Sequence, residues 1–389
     1  MSEATAATVE ERVGDEDRQG DSDRRADSAP ELYTASQWQL MRLKFAKHRL
    51  AVWSGWAIVA LYLMAAFCEF VAPYGLADQH LEYMYAPPQR LHMISDEGVH
   101  LWPFVYGLKG QRHPESLRYV YEEDRERIYP LRLFARGPTY KFWGLFESDI
   151  HLLGVDGGGT LFLLGTDSVG QDLLTRIIYG SRISLTVGLI GVTLSFIFGL
   201  SIGAASGYYG GWIDNMIQRM IEVLRSFPSI PLWMALSASL PASWSPLQVY
   251  FGITVVLSFL GWTGLARVVR GKILSLREED YATAALLAGA SQRRVMLRHL
   301  LPGFTSHIIV SLTLTLPNMI LGETALSFLG LGLRPPITSW GVLLKEAQSV
   351  QAVALHPWLL TPAIIVIIAV LAFNFVGDGL RDAADPYSR

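Results

Sequence analysis

Long apolar stretches recur along the chain after residue 50. A helix needs about 20 apolar residues to cross a hydrocarbon core of about 30 Å. Six stretches reach or approach that length, and we predict that each of them crosses a membrane. They are Ala51–Ala72, Ile183–Gly207, Met216–Leu240, Leu247–Val268, Phe304–Leu331 and Trp358–Val376. The predicted fold class is therefore an all-α integral membrane protein with six transmembrane helices.

The third stretch gives the weakest signal of the six. Pro228 and Pro231 interrupt it, and Glu222 and Arg225 lie in its first half. A soluble protein with buried helices is a poor alternative for the chain as a whole. Soluble cores do not combine this many apolar segments of spanning length with basic residues placed beside them.

Basic residues just before the first stretch predict the orientation of the chain. Loops rich in Lys and Arg tend to stay in the cytoplasm. An even number of crossings then returns the chain to the same side, so we expect both termini to be cytoplasmic. The basic cluster consists of Arg42, Lys44, Lys47, His48 and Arg49.

The chain divides by composition into five predicted regions. The segment Met1–Leu32 carries ten acidic and four basic residues and few large apolar ones, which is typical of disorder. Because polar residues follow the first span, we expect a long folded insertion outside the cytoplasm. The regions are a disordered acidic tail (1–36), a segment with the first helix (37–72), the insertion (73–179), a core (180–376) and a C-terminal cytoplasmic tail (377–389).

Composition excludes several classes of function. Only 17% of the residues are charged, against about 25% in soluble domains, and no basic stripe is present to attract nucleic acid. The single cysteine, Cys68, cannot form an intrachain disulfide or a multi-cysteine metal site. The nine histidines are scattered, and no phosphate-binding loop with its Lys and Ser or Thr occurs. We therefore expect no cofactor, no metal and no ATP hydrolysis on this chain.

The polar segment Arg277–Gly303 is too hydrophilic to span a membrane, and its pattern is too regular for an unstructured linker. Tyr281, Ala284, Ala285 and Ala288 share one face of a predicted short helix. A helix lying on a bilayer normally shows bulky apolar side chains instead. We therefore predict that this small, smooth face contacts another protein, that Gly289 makes a bend, and that Pro302 marks the start of the next membrane helix.

This segment resembles the EAA motif of binding-protein-dependent ABC importer permeases. Ala284, Ala285, Gly289, Leu301 and Pro302 fall in register with it, whereas Thr283 replaces the family's Glu and His299 its usual Ile. Four further segments resemble the DppC/OppC type of the peptide, opine and nickel group. They are GTDSVGQDLLTRIIYGSRISLTVG from Gly165, GYYGGWIDNMIQRMIEVLRSFP from Gly207, ETALSFLGLGLRPPITSWG from Glu323 and FNFVGDGLRDAADP from Phe373.

The resemblance implies the type I permease fold of ABC importers, in the inner membrane of a bacterium. It also implies three kinds of partner: a DppB/OppB-like permease, two cytoplasmic ATPase subunits and a periplasmic solute-binding protein. The loop would dock an ATPase through residues that the resemblance singles out. These are Tyr281, Thr283, Ala284, Ala285, Gly289, Ala290, Ser291, Arg293 and Pro302.

Two acidic residues are candidates for a translocation path or gate, because charges within membrane spans are costly. Glu323 either lines a gate or caps the helix break before Gly330 and Gly332. Glu222 either pairs with Arg225 at i, i+3 or contacts the solute. The alternatives for the whole chain are a secondary transporter driven by an ion gradient and a membrane enzyme. The resemblance leaves open which peptide, opine, nickel complex or oligosaccharide is carried.

Overall fold

A computed structural model describes residues 37–95, 98–112, 114, 119–155 and 157–384 of the chain. The predicted acidic tail, 1–36, and the last five residues of the predicted C-terminal tail lie outside the described residues. All the structural statements below concern the described ranges.

The first membrane segment is a helix with a break near its end. Helix α1 (Gln37–Lys47) is followed by α2 (Arg49–Ala66) and by the short α3 (Cys68–Val71). The side chain of His48 accepts a hydrogen bond from the Ala51 amide at 3.2 Å, which caps the start of α2. The predicted first span therefore corresponds to α2 and α3 together.

The insertion after the first span is built on β-structure, so the prediction of an all-α protein is wrong for this segment. Strands β1 (His92–Ser95), β2 (Gly98–Arg112), β3 (Tyr119–Phe142) and β4 (Phe146–Val155) form one antiparallel sheet in that order. The long strand β3 pairs with β2 up to Pro130 and with β4 from Leu131 onward. Aromatic and β-branched side chains, which favour strands, recur along β3.

Five helical segments are long and apolar enough to cross a membrane, among the residues that the structure describes. They are Arg49–Ala66, Leu173–Tyr209, Pro246–Leu276, Gln292–Phe328 and Pro357–Ala384. Within them we label the helices α4 (Leu173–Tyr209), α7 (Pro246–Leu276), α10 (Thr305–Phe328) and α13 (Thr361–Ala384).

The third predicted span, Met216–Leu240, is not a single helix, so six membrane-spanning helices are not confirmed. It divides into α5 (Gly211–Ser226) and α6 (Ser229–Ala238), the second of which has only 10 residues. Phe227 between them is extended, with ψ of 137°. The cause is Pro228, because a proline disfavours the helical conformation of the residue before it.

The remaining short helices lie in two loops. Helices α8 (Asp280–Leu287) and α9 (Gln292–Val295) precede α10, and a continuous helical path through Met296–Leu300 and Leu301–Phe304 joins α9 to α10. The prediction that the membrane helix begins at Pro302 is therefore wrong, because the helical segment already starts at Gln292. Helices α11 (Trp340–Glu346) and α12 (Val350–Leu355) lie between α10 and α13.

Helices α4 and α7 form the central pair, and glycines bring their backbones together. Gly199, Gly203 and Gly207 recur every four residues along α4. A Cβ atom on Gly203 would lie 2.5 Å from the Ala266 carbonyl oxygen, and one on Gly207 would lie 2.8 Å from that of Arg270. Small residues at this spacing are typical of closely packed membrane helices.

We predict that Gly203→Val destabilises the protein by about 1–3 kcal/mol, because the added side chain must push the α7 backbone away. The measurement is the thermal midpoint of the purified protein in detergent. Gly264→Val is the matched control, since apart from its own stretch of α7 backbone nothing lies within 4 Å of a Cβ at Gly264. Equal losses in the two variants would show that helix contact is not the cause.

Candidate functional site

The segment Arg277–Gly303, here called the docking loop, bends sharply between α8 and α9. Gly289 has φ of +83°, a conformation that side chains with a Cβ resist, and nothing surrounds the position of a missing Cβ. The Ser291 hydroxyl then accepts a hydrogen bond from the Arg294 amide at 3.4 Å, which caps the start of α9. The predicted bend at Gly289 is confirmed, and its cause is backbone conformation rather than crowding.

The inner face of the docking loop belongs to the same apolar core as the membrane helices. Ala282, Val295 and Leu300 are each no more than 1% exposed. They pack in one cluster with residues of three other helices, so the loop is held firmly by the helices that flank it. Those residues are Ala204 of α4, Leu265, Val269 and Ile273 of α7, and Ile308 of α10.

The outer face of the docking loop exposes large apolar side chains among exposed charged ones, such as Asp280, Arg293 and Arg298. Leu287 is 85% exposed, Leu297 60% and Tyr281 44%. The exposed predicted site residues include Thr283, Ala284, Gly289, Ser291, Arg293 and Pro302.

Two predicted docking residues face the protein rather than solvent. Ala285 and Ala290 are half-buried against the core of the loop. Leu287, which the sequence analysis missed, is the most exposed large apolar side chain of the loop. It lies three residues after Ala284 and therefore on the same side of α8, which is the signal that could have found it.

An ion pair ties α5 to α7 near the loop. Arg270 Nε and Nη2 donate to the two carboxylate oxygens of Asp214 at 2.5 Å each, and the Ser206 hydroxyl of α4 donates to the same carboxylate at 2.5 Å. Arg277, at the start of the docking loop, donates to the Gly207 carbonyl of α4 at 3.2 Å. Sequence patterns give no signal for these contacts, because they join residues far apart in the chain.

Glu222 forms its ion pair with Arg219 rather than with the predicted Arg225. The Glu222–Arg219 distance is 2.7 Å, and both side chains are more than half exposed. Pairs of this kind contribute little to stability. A cavity of about 500 Å³ opens beside the break between α5 and α6, and neither Glu222 nor Glu323 is among its lining residues. Its polar lining includes Arg225, Ser229, Thr315 and Asn318.

Glu323 lies at the centre of a buried network of serines. Its carboxylate accepts hydrogen bonds from Ser184 of α4 at 3.0 Å, from Ser327 of α10 at 2.8 Å and from Ser339 at 2.6 Å. Each serine hydroxyl also accepts a hydrogen bond from a backbone amide. The donors are Trp340 to Ser184, Leu333 to Ser327 and Val342 to Ser339. The Leu333 amide lies just beyond the end of α10. This arrangement supports the interpretation of Glu323 as a structural link at the helix break.

Several apolar helices of spanning length indicate a multi-pass membrane protein. The family profile of the "binding-protein-dependent transport system inner membrane component" matches residues 164–389. The profile of the "N-terminal TM domain of oligopeptide transport permease C" matches residues 36–88.

Curated relatives agree with these two profiles. The oligopeptide transport permease OppC of Haemophilus influenzae is 42% identical over 58% of this chain and 70% of its own length. The dipeptide permease DppC of Alkalihalophilus pseudofirmus is also 42% identical, over 57% of this chain and 71% of its own. The glutathione permease GsiD of Escherichia coli is 35% identical over 69% of this chain and 80% of its own.

The chain therefore belongs to the family of binding-protein-dependent transport inner membrane components. Within that family it is an ABC importer permease of the DppC/OppC type. The resemblance stated from the sequence is confirmed, and membership decides against a secondary transporter or a membrane enzyme.

We predict that Glu323→Leu destabilises the protein by at least about 1–3 kcal/mol, because three buried hydroxyls lose their acceptor. Glu323→Gln, which keeps a carbonyl oxygen at the site, should lose much less. The measurements are the thermal midpoint and solute uptake in reconstituted vesicles. A Gln variant with unchanged stability but no uptake would instead favour the role of Glu323 as a gate.

Proposed function

We propose that this chain is one of two pore-forming permeases in an ATP-driven importer of small peptides, and that its docking loop binds an ATPase subunit. The observation that carries the proposal is the division of that loop into two faces. The inner face packs against α4, α7 and α10, while the outer face exposes Leu287 and Tyr281 to solvent. A surface of this kind suits a partner protein that must move the helices behind it.

The mechanism follows from the rigidity of that connection. When ATP binding closes the two ATPase subunits against each other, the docking loop moves with them as a rigid unit. Because Val269 and Ile273 of α7 and Ile308 of α10 pack on the loop, a displacement of the loop tilts both helices. The tilt switches the pore between outward and inward access.

An exposed apolar stripe on α5 supports the presence of a second permease. Its members recur every three or four residues and lie on one face of the helix. A partner of the DppB/OppB kind would cover this stripe. Its members are Trp212, Met216, Met220 and Val223, exposed by 74%, 56%, 44% and 60%.

The proposed topology places both termini in the cytoplasm of a bacterial cell and the β-sheet insertion outside. This requires an even number of crossings, so α5 and α6 must cross together as a broken pair. Their 26 residues, from 16 and 10, span about 39 Å at about 1.5 Å per residue. Broken helices line the solute path in several transporters, and in this proposal the cavity at the α5–α6 break is part of that path.

The proposed solute is a small peptide delivered by a periplasmic binding protein. The names of the relatives specify oligopeptides, dipeptides and glutathione, all of which contain peptide bonds. The cavity at the α5–α6 break combines Arg225 with the amide of Asn318 and the indole of Trp233. A guanidinium can pair with a peptide carboxylate, and an amide can bond its backbone.

We predict that Leu287→Asp lowers the affinity for the ATPase subunits at least tenfold, because a charge replaces an apolar contact. Co-purification of the ATPases with the tagged permease measures this loss. Val350→Asp is the matched control, since Val350 on α12 is also 85% exposed but lies in the other loop.

A cysteine cross-link provides the complementary test. Ala284→Cys is the better probe, because Ala284 is exposed whereas Ala285 is half-buried. Two results together would contradict docking at this face. The Leu287→Asp variant would bind the ATPases normally, and the Ala284→Cys variant would form a stable complex without a cross-link to an ATPase.

A further inference from the structure

The turn that joins β3 to β4 carries large apolar side chains at its tip, here defined as residues 142–146. Trp143 is 61% exposed, Leu145 81% and Phe146 59%. The φ angles of Trp143 and Gly144 are +49° and +74°. A bulky residue rarely adopts positive φ, so specific contacts must hold Trp143 in place.

Those contacts are made with the end of a membrane helix. The Trp143 indole donates to the carbonyl of Ala66, the last residue of α2, at 2.8 Å. The ring of Phe142 stacks on Phe67 with a centroid distance of 5.8 Å. The Arg182 guanidinium lies 5.3 Å from the centre of the Trp143 ring. The hairpin therefore brings its tip to the level at which α2 leaves the apolar phase.

The exposed surface of α2 runs directly into the tip. Trp53, Trp56 and Leu63 are 73%, 65% and 54% exposed, and Phe67 beyond them is 45% exposed. The residues directly behind the tip are charged instead of apolar: Lys141 and Glu147 form an ion pair at 3.4 Å. An apolar end followed by charges is the order of a loop that enters a membrane interface from water.

We propose that the tip of the β3–β4 hairpin is inserted into the lipid leaflet at that end of α2. The proposal goes beyond the transport function, and residues 89–163 lie outside both ranges that the family profiles match. Tryptophan is enriched at membrane–water interfaces, where its ring is amphipathic. The tip anchors the sheet to the bilayer and so fixes its position relative to the end of α2.

Lipid fits the tip better than a protein partner does. Its one polar side-chain group, the Trp143 indole N–H, is already bonded to Ala66, so no polar side chain remains to specify a partner. A cleft of about 740 Å³ also opens beneath the tip, between α2, α4 and α7; it is apolar apart from the Glu69–Arg182 ion pair at one edge, and its apolar part suits an acyl chain. Its walls include Tyr62, Trp143, Leu189, Tyr250 and Phe251.

Site-directed fluorescence in the assembled, reconstituted transporter tests the proposal. The only cysteine, Cys68, is replaced by Ala, and an environment-sensitive NBD probe is placed at Leu145→Cys, Leu63→Cys or Glu122→Cys. Leu63 on α2 is the positive control, and the exposed Glu122, 20 positions before Phe142 on β3, is the aqueous control. Nitroxide-labelled lipids should quench the probes at Leu145 and Leu63 at least twofold more than the probe at Glu122.

Quenching at Leu145 no greater than at Glu122, with Leu63 still quenched, would overturn the proposal. Quenching seen in the isolated chain but lost in the assembled transporter would also overturn it, because a protein would then cover the tip. A photoactivatable residue at position 145 in the otherwise unaltered chain provides a second test. Adducts with lipid support the proposal and adducts with another subunit refute it. Uptake and ATPase docking are measured separately, so their failure leaves this result interpretable.

Discussion

Close contact between α4 and α7 is the constraint on which the rest of the structure depends. In a bilayer the helices gain little from hiding apolar surface, so van der Waals contact and interhelical hydrogen bonds must hold them together. Glycines on α4 allow that contact, and α4 then serves as the surface on which the other parts assemble. The Glu323 network reaches it through Ser184, the docking loop reaches it through Ala204, and Arg270 beside Gly207 reaches α5 through Asp214.

The sequence predicted the features that depend on local composition. Apolar runs located the membrane helices, and Gly289 with its neighbours located the bend of the docking loop. Pro228 indicates the break between α5 and α6, but the sequence does not show whether the helix ends there, because that depends on whether neighbours can satisfy the freed backbone groups. The β-sheet of the insertion was missed, since its strands carry exposed charges and do not alternate cleanly between apolar and polar residues.

The contacts that the sequence could not predict join residues distant in the chain. Nothing near Glu323 indicates that Ser184, 139 positions earlier, will donate to it. Ala285 and Leu287 lie two positions apart in the same helix, and only the packing of that helix decides that one is half-buried and the other exposed. Helical periodicity defines the faces of α8, but the docked position of the helix selects which face meets the core.

The exposed outer face of the docking loop has a consequence for the supply of this subunit in the cell. Under the proposed docking, exposed apolar side chains that a partner covers in the complete transporter resemble, in the unassembled chain, the surface of a misfolded protein. Chaperones and proteases recognise such surfaces, so a chain made without its partners would be removed. If the proposed docking holds, the amount of this permease is set by the scarcest of its partners, so the exposed outer residues also enforce the stoichiometry of the complex.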